Sequence, residues 1–98
     1  MTINKAFQGN VLTIALEGRL DTLTAPDLDT ELKASMEDAE SLVLDMKALD
    51  YISSAGLRVL LSAQKVMSRK GGMKLINVNE TVMEVFEGTG FSELLTIE

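Results

Sequence analysis

"DYISSAGLRVLL", Asp50 to Leu61, is the stretch on which the fold turns. Two serines, an alanine and a glycine stand between a strand-like apolar run and a helix-like one, where connections usually use Pro, Asn or Asp. The run that follows, "GLRVLLSAQKVMSRKGG", has helical spacing. Val59, Leu60, Ala63, Val66 and Met67 form an apolar stripe, with Arg58, Ser62, Lys65 and Arg69 opposite it. Gly71-Gly72 end the helix behind the cationic pair Arg69-Lys70. Upstream, "SLVLDM" (Ser41 to Met46) reads as a short central strand. The stretch is therefore a strand-to-helix connection. Ser53 or Ser54 stands where a helix N-cap belongs, a role worth ~1 kcal/mol.

The rest of the chain extends the same pattern. "NVLTIALEG" alternates, with Val11, Thr13 and Ala15 on one face and Leu12, Ile14 and Leu16 on the other. Both faces are largely apolar, which predicts a strand covered on both sides. "MTINKAFQ" is a weaker strand, joined to it by a Gly9-Asn10 hairpin turn. "LTAPDLDTELKASMEDAE" predicts a helix capped by Thr24, with Pro26 in its first turn and Leu28, Leu32, Met36 and Ala39 along one face. "MKLINV" predicts a strand. "NETVMEVFEGTG" predicts a helix capped by Asn79 and stopped near Gly88 or Gly90, and "SELLTIE" a last short strand. The order β, β, α, β, α, β, α, β implies an α/β domain. The expected architecture is a small, mixed, mostly parallel sheet of about four to five strands flanked by helices.

The chain has 98 residues, which suits a single domain spanning 1–98. It has neither cysteine nor histidine, so disulfides, thiol nucleophiles, the usual zinc sites and imidazole acid–base catalysis are excluded. No apolar run approaches the ~20 residues of a membrane span, and the first residues lack the apolar core of a signal peptide. A cytoplasmic protein without direct membrane insertion is expected. The net charge of −6 argues against nucleic acid as a partner. The charge is segregated: residues 1–50 hold 4 basic and 10 acidic side chains, 51–79 hold 5 basic and none acidic, and 80–98 hold 5 acidic and none basic. The serine-rich turn thus opens the one basic segment.

A nucleophilic serine would need a base, and the chain offers no histidine and no G-x-S-x-G elbow. Lys65 lies about three turns along the helix. "GGMK" lacks the spacing and the hydroxyl residue of a phosphate loop, so no cofactor is expected. Phosphorylation fits better. A phosphate on Ser54 would meet the free N–H groups and dipole of a helix start, with Arg58 one turn on along the same face. Leu57 and Leu61 fall at the edge of the buried stripe. They either complete the core or offer an apolar contact beside the serine.

Three segments, "LEGRLDTLTAPDL", "LDMKALDYISSAGLRVLL" and "VFEGTGFSELL", occur in this order with spacings that resemble the STAS domain of anti-sigma factor antagonists, or anti-anti-sigma factors. The resemblance covers essentially the whole chain, and the middle segment is its most specific part. It implies a small sheet flanked by helices and a regulator rather than an enzyme. The implied cycle is partner switching. The unphosphorylated protein binds an anti-sigma factor that is also a serine kinase and so releases a sigma factor; the kinase, which binds the ATP, then phosphorylates a serine at the start of the second helix; a serine phosphatase resets it. By the resemblance, Ser54 is the target serine, with Ser53 second to it. Asp21 of "GRLD" lies near the partner surface, with Ser53, Ser54, Leu57, Arg58 and Leu61 on the same surface. Ser53 replaces the Asp that many regulatory members carry before the target, and Ala55 replaces Ser or Thr after it. The alternative is a constitutive STAS subunit of a membrane transporter or signalling assembly, in which Ser54 only caps.

Overall fold

The computed structural model describes residues 1–98. Strand β1 (Thr2–Gln8) and β2 (Val11–Leu20) form an antiparallel hairpin. Gly9 turns it at φ +61°, a left-handed conformation that glycine adopts without a Cβ penalty. Helix α1 (Ala25–Ser35) and a 3-10 turn (Met36–Asp38) lead to β3 (Ser41–Ile52), which pairs parallel to β2. Helix α2 (Ser54–Met67) leads to β4 (Met73–Ile76), parallel to β3. The sheet order is β1-β2-β3-β4, so it is mixed and mostly parallel, with four strands. Helix α3 (Glu80–Thr89) and the short α4 (Phe91–Leu94) follow.

The final segment departs from expectation. "SELLTIE" forms α4 and then touches the sheet through a single bridge, Leu75 to Ile97, instead of adding a strand. Gly90, at φ +81°, ends α3 and at once begins α4, which takes Phe91–Leu94 into a helical turn and away from the sheet.

One continuous core holds the layers together. Leu12, Ile14, Leu16 and Leu20 of β2 are fully buried, as are Leu44, Met46 and Leu49 of β3. They pack with Leu28 and Leu32 of α1, Leu60 and Met67 of α2, and Val82 and Phe86 of α3. The stripe expected on α1 is the one observed, with Leu28, Leu32, Met36 and Ala39 all buried. The stripe expected on α2 is rotated. Gly56, Leu57, Leu60, Ala63 and Met67 point inward, while Val66 is 44% exposed. The apolar count alone does not fix the wheel, because Val59 and Val66 offer an equally good-looking line. The far face of the sheet is also unlike the expectation: Thr13, Ala15 and Val43 are only half-buried and Val11 is exposed, so β2 is covered on one side.

Asn79 caps α3 as expected, its Oδ1 accepting from the Val82 N–H at 2.9 Å. The close of α1 is held from a distance. Lys70, beyond α2, donates from its Nζ to the carbonyls of Met36, Glu37 and Ala39 at 2.8, 3.0 and 2.9 Å. All three ammonium donors are thereby used on carbonyls at a helix end, where a cation is favoured by the dipole. Replacing Lys70 with methionine keeps the stem and removes the donors. It is expected to cost about 1–2 kcal/mol, read from the midpoint of urea unfolding at unchanged slope.

Candidate functional site

Two loops meet at the carboxyl ends of the neighbouring parallel strands β2 and β3, the end where open α/β sheets carry their sites. Leu20 and Ile52 are register partners. The residues that follow them are Asp21 and Ser53, and the Ser53 N–H donates to the Leu20 carbonyl at 2.9 Å. The loops are thus fastened side by side. Strand β3 runs up to Ile52 and not merely to Met46, so the serines leave the sheet directly.

Each small residue of the turn has its own task. Ser53 is extended (φ −100°, ψ 174°), and its Oγ accepts from the Gly56 N–H at 3.4 Å. It is the N-cap, and its carbonyl accepts from the Leu57 N–H at 2.9 Å. Ser54 is therefore the first helical residue and not the cap; it is exposed, and its hydroxyl makes no hydrogen bond within the chain. Ala55 is half-buried. Gly56 is a matter of space: a Cβ there would lie 2.6 Å from Leu20 Cγ and 3.0 Å from Ile52 Cγ1. The turn is small because the start of α2 sits directly on the ends of β2 and β3.

Asp21 organises the other loop. Its Oδ1 accepts from the N–H groups of Leu23 and Thr24 at 3.0 and 3.1 Å. The Thr24 hydroxyl accepts from the Asp21 N–H at 2.9 Å and donates to the Arg19 carbonyl at 2.7 Å. Thr24 occupies the N-cap position of α1 but makes no side-chain cap bond, because its hydroxyl is spent on this turn. The Thr24 N–H bond is the main influence holding the Asp21 carboxyl below the usual range, with the Thr24 hydroxyl, the Leu23 N–H and Arg19 acting the same way and desolvation opposing them. A depressed pKa in the folded state means that the loop's contribution to stability is complete above the unfolded value, about 3.9, and is lost as pH falls through the lower folded value. In an NMR titration the Asp21 carboxyl is expected to change below the midpoint of an unstructured aspartate. A midpoint at or above that value would contradict the turn.

Arg19 sits beside Asp21, Nε to Oδ2 at 3.7 Å, and lies 4.1 Å above the Tyr51 ring centroid. Leu23, at the tip of the Asp21 loop, is 86% exposed. Sequence reasoning singled out none of these three. Leu23 carried a usable signal, since it is an apolar residue off the α1 stripe in an otherwise polar turn. Of the residues expected here, Asp21, Ser53 and Ser54 come together, and Arg58 is exposed one turn along α2. Leu61 is half-buried, seven residues from Ser54 and so about 10 Å along the axis. Leu57 is not on the surface: at 3% exposure it belongs to the core, because α2 turns that side onto the sheet.

No group of three or more acidic, histidine or cysteine side chains is placed to hold a metal ion. The larger of two surface grooves, about 440 Å³, opens near Val11, Ser41 and Met73, at the opposite ends of the strands.

The STAS domain family model matches residues 2–98. The chain belongs to the STAS domain family. This STAS domain is 39% identical over 89 residues to BtrV of Bordetella bronchiseptica, described by name as a candidate anti-sigma factor antagonist, covering 89% of this chain and 77% of that protein. It is 29% identical over 89 residues to the anti-sigma-B factor antagonist of Bacillus subtilis, covering 90% of this chain and 82% of that one. The fold matches an anti-sigma factor antagonist from Mycobacterium paratuberculosis at a TM-score of 0.89 and 22% identity, over 98% of this STAS domain and 83% of that chain.

Proposed function

We propose that this STAS domain is an anti-sigma factor antagonist switched off by phosphorylation of Ser54. The observation that carries the proposal is the division of labour between the two serines. Ser53 takes the capping bond, which leaves the Ser54 hydroxyl exposed and unbonded on the first helical residue. A phosphate there would face outward at a positive helix end and would leave the core in place. In this reading the chain performs no catalysis. It acts in the cytoplasm as the substrate of its partner, an anti-sigma factor that binds ATP and is a serine kinase, and a serine phosphatase restores it. No helix is long and apolar enough to cross a membrane.

The partner surface is composed of Asp21, Ser53, Ser54 and Arg58, edged by Leu61. Leu23 and Tyr51 add exposed apolar area beside the serine, where a docked protein would cover it. The test is capture from the native lysate with wild-type, Ser54→Ala and Ser54→Asp baits. An ATP-binding anti-sigma factor held by the first two and lost by the third is the expected result. Identical captures with all three baits would make the chain a constitutive subunit and Ser54 a plain helix residue.

A further inference from the structure

The basic residues of this chain are not used evenly. There are nine. Lys5, Arg19, Lys33 and Lys74 pair with carboxylates, and Lys70 is bound to three carbonyls. Of the others, Lys47 stands alone on β3, and Arg58, Lys65 and Arg69 share one line along the solvent side of α2 and the turn after it. All three are exposed, none has an ion pair, and α2 contains no acidic residue. Lys65, seven residues from Arg58, falls within about 20° of it on the helical wheel, and Arg69 follows in the turn two residues past Met67, giving a cationic stripe roughly 16 Å long. Ser54 is one turn before Arg58, at the head of the stripe. In a chain with fifteen acidic residues, leaving these cations unpaired maintains a positive strip on a negative molecule.

We infer that Arg58, Lys65 and Arg69 form a docking stripe for an acidic surface of the anti-sigma partner, continuous with the Ser54 site. This rests on the function proposed above and deepens it. The occupant is a protein because the remaining surface is acidic and would repel a nucleic acid or an anionic membrane. The stripe also gives the switch its sign. A phosphate of about −2 at Ser54 cancels most of the stripe's charge and sets an anion against an acidic partner. Modification therefore slows association as well as breaking close contacts.

The test uses the full chain and the anti-sigma factor captured by wild type, purified, with association rates measured between 50 and 300 mM NaCl. The wild-type rate is expected to fall at least about tenfold over that range. The variant Arg58→Glu/Lys65→Glu/Arg69→Glu is expected to associate at least about tenfold more slowly at low salt and to lose the salt dependence. Lys47→Glu, which reverses an exposed cation on β3 outside the stripe, keeps both. A rate indifferent to salt and to charge reversal, with Ser54→Asp still blocking binding, would overturn the stripe and leave the switch standing. Capture of no anti-sigma factor by any bait would overturn both. Charge-reversible binding of total RNA or phosphatidylserine vesicles in place of the protein partner would also overturn the stripe.

Discussion

Gly56→Val is expected to destabilise the domain by about 3 kcal/mol, the upper end of what overpacking a tight core costs. The atom that even the first added carbon meets is Leu20 Cγ, a branch point and not a free tip, at 2.6 Å. Leu20 and Ile52 have no room to retreat, at 0% and 2% exposure. Relief requires α2 to lift from the sheet, which would uncover Leu57 and Leu60 and pull Ser53 from the Leu20 carbonyl. For a domain of this size each kcal/mol is worth about 4–8 °C in melting temperature, so the loss is readily measured by calorimetry. Gly56→Ala meets the same 2.6 Å contact but recovers up to about 1 kcal/mol of helix propensity, so it is expected to fall between wild type and valine. A valine variant that melts with wild type would show that the helix start is not seated as described.

Ser54→Asp is expected to weaken binding of the anti-sigma partner at least 100-fold while leaving the melting temperature within a few degrees of wild type. The separation of the two readouts follows from geometry. Ser54 is exposed and its hydroxyl holds nothing, and an acidic residue in the first turn of a helix is favoured by the dipole. Stability is therefore kept while the charge of the docking surface changes. Ser53 should behave in the opposite way. Ser53→Ala removes the cap and is expected to cost ~1 kcal/mol, measured by urea unfolding, while still permitting modification of Ser54.

The order of elements as far as α3, the mixed and mostly parallel sheet, and the placing of a serine turn at a strand-to-helix junction were legible from residue patterns; the last strand expected after α3 was not there, because Phe91–Leu94 are helical. The length of β3 was not. Its pairing with β2 is irregular between Ala15 and Glu17 and again between Gly18 and Arg19, each time with an extra residue on β3. The inward positions consequently move from Met46 to Leu49 to Ile52, a spacing of three that hides a strand from any search for alternation. The identity of the cap was equally hidden. Two adjacent serines are chemically equivalent in sequence, and only the extended backbone of Ser53 distinguishes them. Leu57 was open for a related reason: a helical wheel has no zero until something fixes it, and what fixes α2 is the close seat of Gly56. The Asp21 turn was legible as a motif, but its use of the Thr24 hydroxyl depends on a bond to the Arg19 carbonyl that no local pattern announces.

The most direct measurement of the central claim is phosphate mapping. The purified protein is incubated with the captured anti-sigma factor and ATP, and the peptide spanning Ser53 and Ser54 is sequenced by mass spectrometry. A single phosphate is expected on Ser54, absent in Ser54→Ala and persisting in Ser53→Ala. A phosphate on Ser53, or none at either serine under conditions where the two proteins bind, would contradict the claim.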